Sequence, residues 1–461
     1  MRPTLNSLKG KRLHFIGIGG TGMSGLARIA LSRSIKVTGS DNRDTSVVKA
    51  LKALGAVIET SHAAHNVDGA DLVVYSNAIS HNNPELERAH ELGIKILTRA
   101  AALAILMSES TSIAVAGTHG KTTTSSMLAV ALQSCGADPS FAIGGTIMAS
   151  GSNAHSGTGS IFVAEADESD GSFTEYHPFA AIVTNVEHDH VDFFATPASV
   201  ALAFSDFVAT INAEGFLTYC ADDTGAQSLA TSIKSLEKIS YGVAQGSDLV
   251  IDQIELLAMG SRARALWHGK SVGVIELQVP GHHNLLNAAA VLATGLRLGF
   301  NARDLLTGLA IFRGAGRRFE LIGTVHGIRI VDDYGHHPTE IDVTLEAARR
   351  FAGDGRLIVI FQPHRFSRTA AFAEGFARAL NRADRAIVLE IYSAGEKSIA
   401  GVTSKLITDL MEHGEHTPNF IEVADKIVDF AAAGDVIITL GAGDVSSLAP
   451  VILDGLIRRF E

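Results

Sequence analysis

The sequence predicts an α/β protein of three blocks, each a largely parallel sheet covered by helices. Short apolar runs of strand length alternate with helical stretches along the chain. Two of these strands run straight into glycine-rich turns that open a helix. The others end in polar or glycine residues, at the edge where open α/β sheets bind ligands. The chain has 461 residues, 46% hydrophobic and 19% charged, too many for one ordinary core and typical of a globular protein.

The first block opens with an apolar strand at 13–16, followed by GIGGTGMSGLARIALSRS. Glycines end the strand, and Met23, Leu26, Ile29 and Ala30 then form one helical face. A second strand at 35–38 ends at Gly39-Ser40-Asp41, and DLVVYSNAIS and a Leu/Ala-rich helix near 100–107 complete the block. The second block opens with a strand at 113–116, again running into glycines, and a helix at 122–134 that stops at Gly136. IFVAEAD and AAIVTNVEHDH are two more buried strands with acidic or His residues at their ends; HHNLLNAAAVLATGLRLGF and FRGAGRRFE close the block. The third begins near Gly323, with strands in IRIVDDYGHHPTE, RLIVIFQPHR, AIVLEIYSAGE and DVIITLGAGD.

Composition excludes several classes. With 38 basic against 49 acidic residues, a net charge of −11, the chain lacks an overall basic footprint for nucleic acid or anionic lipid. Any anionic ligand must be held by local groups. Two cysteines, Cys135 and Cys220, exclude a disulfide framework and fit a reducing compartment. The N-terminal apolar run is too short for a signal peptide, and no apolar stretch is long enough to span a bilayer. The expected location is the cytoplasm.

Two loops are built for phosphate. In Gly17-x-Gly19-x-x-Gly22 the glycines let the backbone approach an anion, and the helix N-terminus supplies free N–H groups. With Asp41 placed to bind a ribose, this loop alone reads as a dinucleotide site of an NAD-dependent oxidoreductase. The second loop is Ala116-Gly117-Thr118-His119-Gly120-Lys121-Thr122-Thr123. It keeps the Gly-Lys-Thr of a Walker loop, although Val115 stands where the full pattern has Gly. Its amides cradle phosphates, Lys121 reaches the β- and γ-phosphates, and the Thr122 hydroxyl suits Mg²⁺. A dehydrogenase has no use for this second loop.

Phosphoryl transfer also needs acids at the neighbouring strand ends. Glu165, Asp167, Glu168 and Asp170 lie within six residues after the strand in IFVAEAD. Glu165 is the first choice as metal ligand, with Asp167 or Glu168 holding waters, and His190 is a candidate for a second Mg²⁺. Arg365 and Arg368, spaced by three after Gln-Pro-His, could aim at one carboxylate or phosphate. Arg317, in a glycine-arginine loop, suits γ-phosphate contact across a cleft.

HFIGIGGTGMSG, AGTHGKTTT, EADESDGSF, GRRFE, DDYGHHPTE and FQPHR resemble, in order and spacing, the Mur ligase family, and within it the branch that adds L-alanine. The resemblance covers nearly the whole chain. It implies a Rossmann-like UDP-sugar domain at 1–107, a central ATP-binding domain of P-loop type at 108–322, and a Rossmann-like C-terminal domain at 323–461 closing on ATP and the amino acid. Residue by residue it implies that Gly117, Thr118, His119, Gly120, Lys121, Thr122 and Thr123 bind ATP, and that Thr122, Glu165 and His190 hold Mg²⁺. Asn284 contacts the base, Arg317 the phosphate, and Asp332 the nucleotide ribose. Gly19, Gly20, Gly22 and Asp41 belong to the UDP-sugar site. Tyr334, His336, Arg365 and Arg368 position the lactyl carboxylate and the amino acid. The alanine-adding branch lacks the carbamylated Lys of sister ligases, and 193–209 contains no Lys. His188 departs from the branch, which commonly shows Pro there.

The activity so implied is ATP-dependent amide-bond formation between L-alanine and the lactyl carboxylate of UDP-N-acetylmuramate, through an acyl phosphate, in peptidoglycan precursor synthesis. Lys121, Glu165, His190 and Arg317 are its catalytic candidates, with His336 the candidate base. A muropeptide-recycling ligase with a peptide acceptor is the alternative within the family.

Overall fold

The computed structural model describes residues 4–76, 78–80 and 82–461; Asn77, inside the DLVVYSNAIS run, lies outside them. Three sheets follow one another along the chain. The first is five-stranded and wholly parallel, in the order Val57–Glu59, Lys36–Ser40, Arg12–Ile16, Leu72–Tyr75, Lys95–Thr98. The second has ten strands. Its centre is parallel, with Thr111–Ala116 between Ala180–Val183 and Ile161–Glu165. The third has six strands, all parallel except the edge strand Glu320–Val325.

Sequence placed the central strands but missed the edges of the second sheet. Leu249–Leu257, Gly260–Trp267 and Lys270–Leu277 form an antiparallel meander at one edge, and Ser140–Ile147 pairs with Ser152–His155 at the other. These runs carry no ligand-edge motif. The expected break at 322/323 lies within a strand of the structure, Glu320–Val325, which pairs with Ile328–Asp333 and so belongs to the third sheet.

The helix N-termini sort by what caps them. Thr45, Asn83, Thr98 and Thr196 each accept a backbone N–H of the helix they precede, which satisfies a donor the helix cannot. The helices Thr21–Ser32 and Lys121–Ser134 are preceded instead by Gly20 and Gly120, with no side-chain cap. Their first-turn amides stay free for an anion. Gly120 is left-handed at φ 82°, and a Cβ on Gly117 (φ 140°) would lie 1.9 Å from Thr184 Oγ1. Neither position tolerates a side chain.

Candidate active site

Three cavities abut where the sheets meet. A cavity of 270 Å³ opens at the first glycine loop, lined by Gly20, Thr21 and Gly22 and by Ser76, Arg99 and Asn153. A cleft of 590 Å³ contains Lys121, Thr122, Glu165 and His190 on one wall and Arg317, Tyr334, His336, Arg365 and Arg368 on the other. A cavity of 290 Å³ continues beyond Gly120 to Asn284, Asn287 and Phe312. Thr21, Gly144, Glu165 and Asp167 line both the first cavity and the cleft; Gly120, Arg318 and Glu340 line both the cleft and the third cavity.

Lys121 is folded back on its loop. Its Nζ donates to the carbonyls of Gly117 (2.7 Å) and Thr118 (3.1 Å) and lies 2.8 Å from buried Glu168. Burial opposes its charge, but Glu168 and Asp167 outweigh burial and raise its pKa, so it stays an ammonium. Thr122 Oγ1 donates to Glu165 Oε1 at 3.0 Å, and the Gly144 amide donates to Glu165 Oε2 at 2.7 Å. Burial raises the Glu165 pKa despite these bonds.

The expected metal set divides. Thr122 and Glu165 are bonded, but His190 has Glu168 Oε1 at 3.6 Å and Asp189 Oδ2 at 3.8 Å as its carboxylate neighbours. Glu168 therefore joins Lys121 to His190, a link the acidic run alone could not single out. His190, Arg317 and Arg365 have φ of 51°, 58° and 72°. Non-glycine residues held in this region concentrate at functional sites, where surrounding contacts offset the strain.

Other placements depart from expectation. Asp332 is 2% exposed and committed to Arg317 Nε (3.0 Å) and Thr439 Oγ1 (2.6 Å); it is Asp333 that lines the cavity beyond Gly120. Burial pushes the Asp333 carboxyl up to about 6. Asp332 thereby orients Arg317, whose guanidinium also lies 5.0 Å from the Tyr334 ring centroid. Arg365 and Arg368 do not converge on one acid. Arg368 makes a bidentate pair with Asp189, at 2.9 and 3.1 Å, while Arg365 pairs with Asp192. The i,i+3 spacing could not reveal two acids three residues apart on another domain. Asp41 accepts the Gly19 amide at 2.8 Å and so braces the first loop. Neither Gly19 nor Asp41 is among the residues lining the adjoining cavity.

His336 is neutral, its pKa pushed down to about 3 by burial despite the nearby Glu340 carboxylate. His283 is held near 4, again chiefly by burial. His119 is the opposite case. Burial disfavours its charge, but hydrogen bonds to Glu187 and Glu340 raise its pKa to about 9. Glu187 follows the strand Ala180–Val183 and Glu340 opens the helix Pro338–Ala352, so a protonated His119 bridges the second and third domains. His119, Glu187 and His337 each place a ligand atom within 4.8 Å of the others. There the imidazolium itself supplies the positive charge. His188 Nε2 donates to the Phe194 carbonyl at 3.0 Å, and its ring meets that of Phe372.

Among the lining residues that sequence reasoning missed are Arg99 and Asn287. Arg99 begins the helix Arg99–Met107 and packs on Gly22, where a Cβ would lie 2.8 Å from its Cδ. Asn287 lies one helical turn from Asn284 and donates to it at 3.3 Å. The i,i+3 spacing after His-Asn was the available signal for Asn287. No local pattern marks Arg99.

Known proteins agree with this architecture. Family models match in order: Mur ligase family, catalytic domain, at 12–111; Mur ligase middle domain at 115–295; and Mur ligase, glutamate ligase domain, at 317–443. A UDP-N-acetylmuramate–L-alanine ligase of Renibacterium salmoninarum is 49% identical, covering 96% of each chain. One from Acidothermus cellulolyticus is 47% identical, covering 98% of this chain and 96% of its own. The crystal structure of UDP-N-acetylmuramate–alanine ligase from Thermotoga maritima superposes with a TM-score of 0.80 at 29% identity, over 97% of this chain and 99% of that one. A murein peptide ligase from Psychrobacter arcticus gives 0.73 at 26%, with the same coverage. Three matched domains, each carrying one of the three sheets, place this chain in the Mur ligase family.

Proposed function

We propose that the chain joins L-alanine to the lactyl carboxylate of UDP-N-acetylmuramate at the expense of ATP, a step of peptidoglycan precursor synthesis. The observation that carries this reading is the continuity of the three cavities through shared wall residues. A long nucleotide-sugar can lie in the first with its carboxylate in the cleft, while ATP in the third directs its γ-phosphate to the same point. In domain terms, residues 1–107 take the UDP-sugar, 108 to the strand Glu320–Val325 take ATP, and the remainder closes on both.

The residues present fit Mg²⁺. Thr122 hydroxyl and Glu165 carboxylate oxygens already lie together, and Asp167 and the imidazole of His190 line the same cleft, with His190 set apart beside Glu168. An oxygen-dominated site with water positions to spare suits this ion. When bound there it supplies positive charge against the phosphate oxygens.

A carboxylate is a poor acyl electrophile. Attack of the lactyl carboxylate oxygen on the γ-phosphorus breaks the bond to ADP and leaves an acyl phosphate. The alanine amine then attacks the acyl carbon, phosphate departs with the bonding pair, and the proton lost by the nitrogen is taken up by the departing phosphate. Lys121 exchanges its loop carbonyls for phosphate oxygens, and the free amides after Gly120 add donors. Arg317, oriented by Asp332, meets the same charge from the third domain. Neutral His336 accepts a hydrogen bond from the incoming amine. Closure of the third domain excludes the water that would hydrolyse the acyl phosphate. Phosphate release with UDP-N-acetylmuramate and each amino acid in turn tests the assignment. L-alanine should give the highest kcat/KM; preference for a peptide acceptor would overturn it.

A further inference from the structure

Arg365 and Arg368 differ in how their charge is met. Arg368 and Asp189 are each 3% exposed in their side chains and fully engaged as a bidentate pair. Arg365 and Asp192 are each 30% exposed, and only one guanidinium nitrogen, Nη1, carries the bond. Glu396 Oε1 stands 3.8 Å from that nitrogen, but its two oxygens are already taken by the backbone N–H and hydroxyl of Ser367. Asp192 is thus the one acid whose main partner is Arg365. Arg365 lines the cleft; Asp192 is not among the residues lining it, so the acid approaches the guanidinium from outside the reaction space.

An α-amino acid brings to this cleft a carboxylate of the same chemistry as Asp192. We propose that Asp192 is an internal stand-in for the acceptor's carboxylate. It holds Arg365, at its left-handed φ of 72°, in the binding orientation while the amino acid is absent. It yields the guanidinium when the substrate arrives. This rests on the reading of Arg365 as the amino-acid contact and adds a positioning residue to it. The exchange is feasible because the pair is half-open to solvent, where an ion pair contributes little. The buried Asp189–Arg368 pair is not exchangeable in this way, since separating it strands two desolvated charges. The acceptor class follows. An amine without a carboxylate cannot displace Asp192, so the device favours α-amino acids over simple amines.

The test is the KM for L-alanine in Asp192→Asn, an isosteric change that keeps a hydrogen-bonding side chain but removes the competing charge. KM should fall about two- to fivefold, with the KM for ATP unmoved. A general loosening of the interface would instead raise both. Ethylamine, which is alanine without its carboxylate, should gain nothing from the substitution. The companion variant Arg365→Gln should raise the KM for L-alanine, and adding Asp192→Asn to it should give no further change. If Asp192→Asn leaves or raises the alanine KM while Arg365→Gln raises it, the competition is refuted and the Arg365 contact stands. If Arg365→Gln leaves the alanine KM unchanged, the contact itself falls, and the proposal with it.

Discussion

The Asp189–Arg368 pair should be the strongest single tie between the second and third domains. Its two hydrogen bonds, 2.9 and 3.1 Å, join side chains that are both 3% exposed. Burial alone would raise the Asp189 pKa; the Arg368 guanidinium overrides it and holds the carboxyl well below the usual range. Arg368→Met removes that compensation and leaves a buried carboxylate. The expected cost is about 3 to 5 kcal/mol, most of it the penalty of the stranded charge rather than the worth of the pair. Asp189→Asn strands the guanidinium and should cost a similar amount. The double variant Asp189→Leu/Arg368→Met removes both charges and should recover most of the loss. Because the pair crosses domains, part of the loss should appear as opening of the third domain. Urea unfolding of the four proteins gives the coupling energy, and small-angle scattering gives the radius of gyration. The folded pKa is depressed, so the pair's contribution is present above about pH 4 and lost only as pH falls through the lower folded value. Single variants that each cost under about 1 kcal/mol with an unchanged radius of gyration would refute the reasoning.

Three further outcomes are expected. Lys121→Ala should lower ligase activity and phosphate release about 10³-fold, since the ammonium is a positioned charge on the transferring group, with melting little changed; near-wild-type phosphate release would remove the loop from catalysis. His119, raised to about 9, contributes stability that is fully present below its unfolded pKa of about 6.5 and lost as pH rises through about 9; a stability–pH profile should show this loss, and His119→Gln should flatten it. Activity should be independent of bicarbonate, because the helix Pro197–Val208 and its flanks to residue 209 contain no Lys to carbamylate. Reversible activation of degassed enzyme by bicarbonate would count against that.

Much of the protein was legible in sequence because the relevant signals are local. The strands Arg12–Ile16 and Thr111–Ala116 are apolar runs of strand length, and the glycines after them are demanded by the turn itself. Gly17 to Gly22 and Gly117 to Thr122 were readable as anion loops for the same reason: loop conformation and helix N-terminus are set by neighbouring residues. Acids and arginines at strand ends could be nominated, since a parallel sheet puts every strand's C-terminal end on one edge. Which of them meet was not local. That Glu168 joins Lys121 to His190 and that Asp332 orients Arg317 depend on which strand ends become neighbours within a sheet, and that Arg365 and Arg368 take Asp192 and Asp189 depends on how the second and third domains pack. The protonation of His119 and the neutrality of His336 were equally hidden. Residue type is the same, but one ring is hydrogen-bonded by two carboxylates from different domains while burial outweighs the acids near the other. Sequence determines which groups the chain offers at its ligand edges. Burial and distance, which exist only after the domains close, decide which carry charge and which partner holds them, because Coulomb energy and desolvation both depend on position in the folded interior.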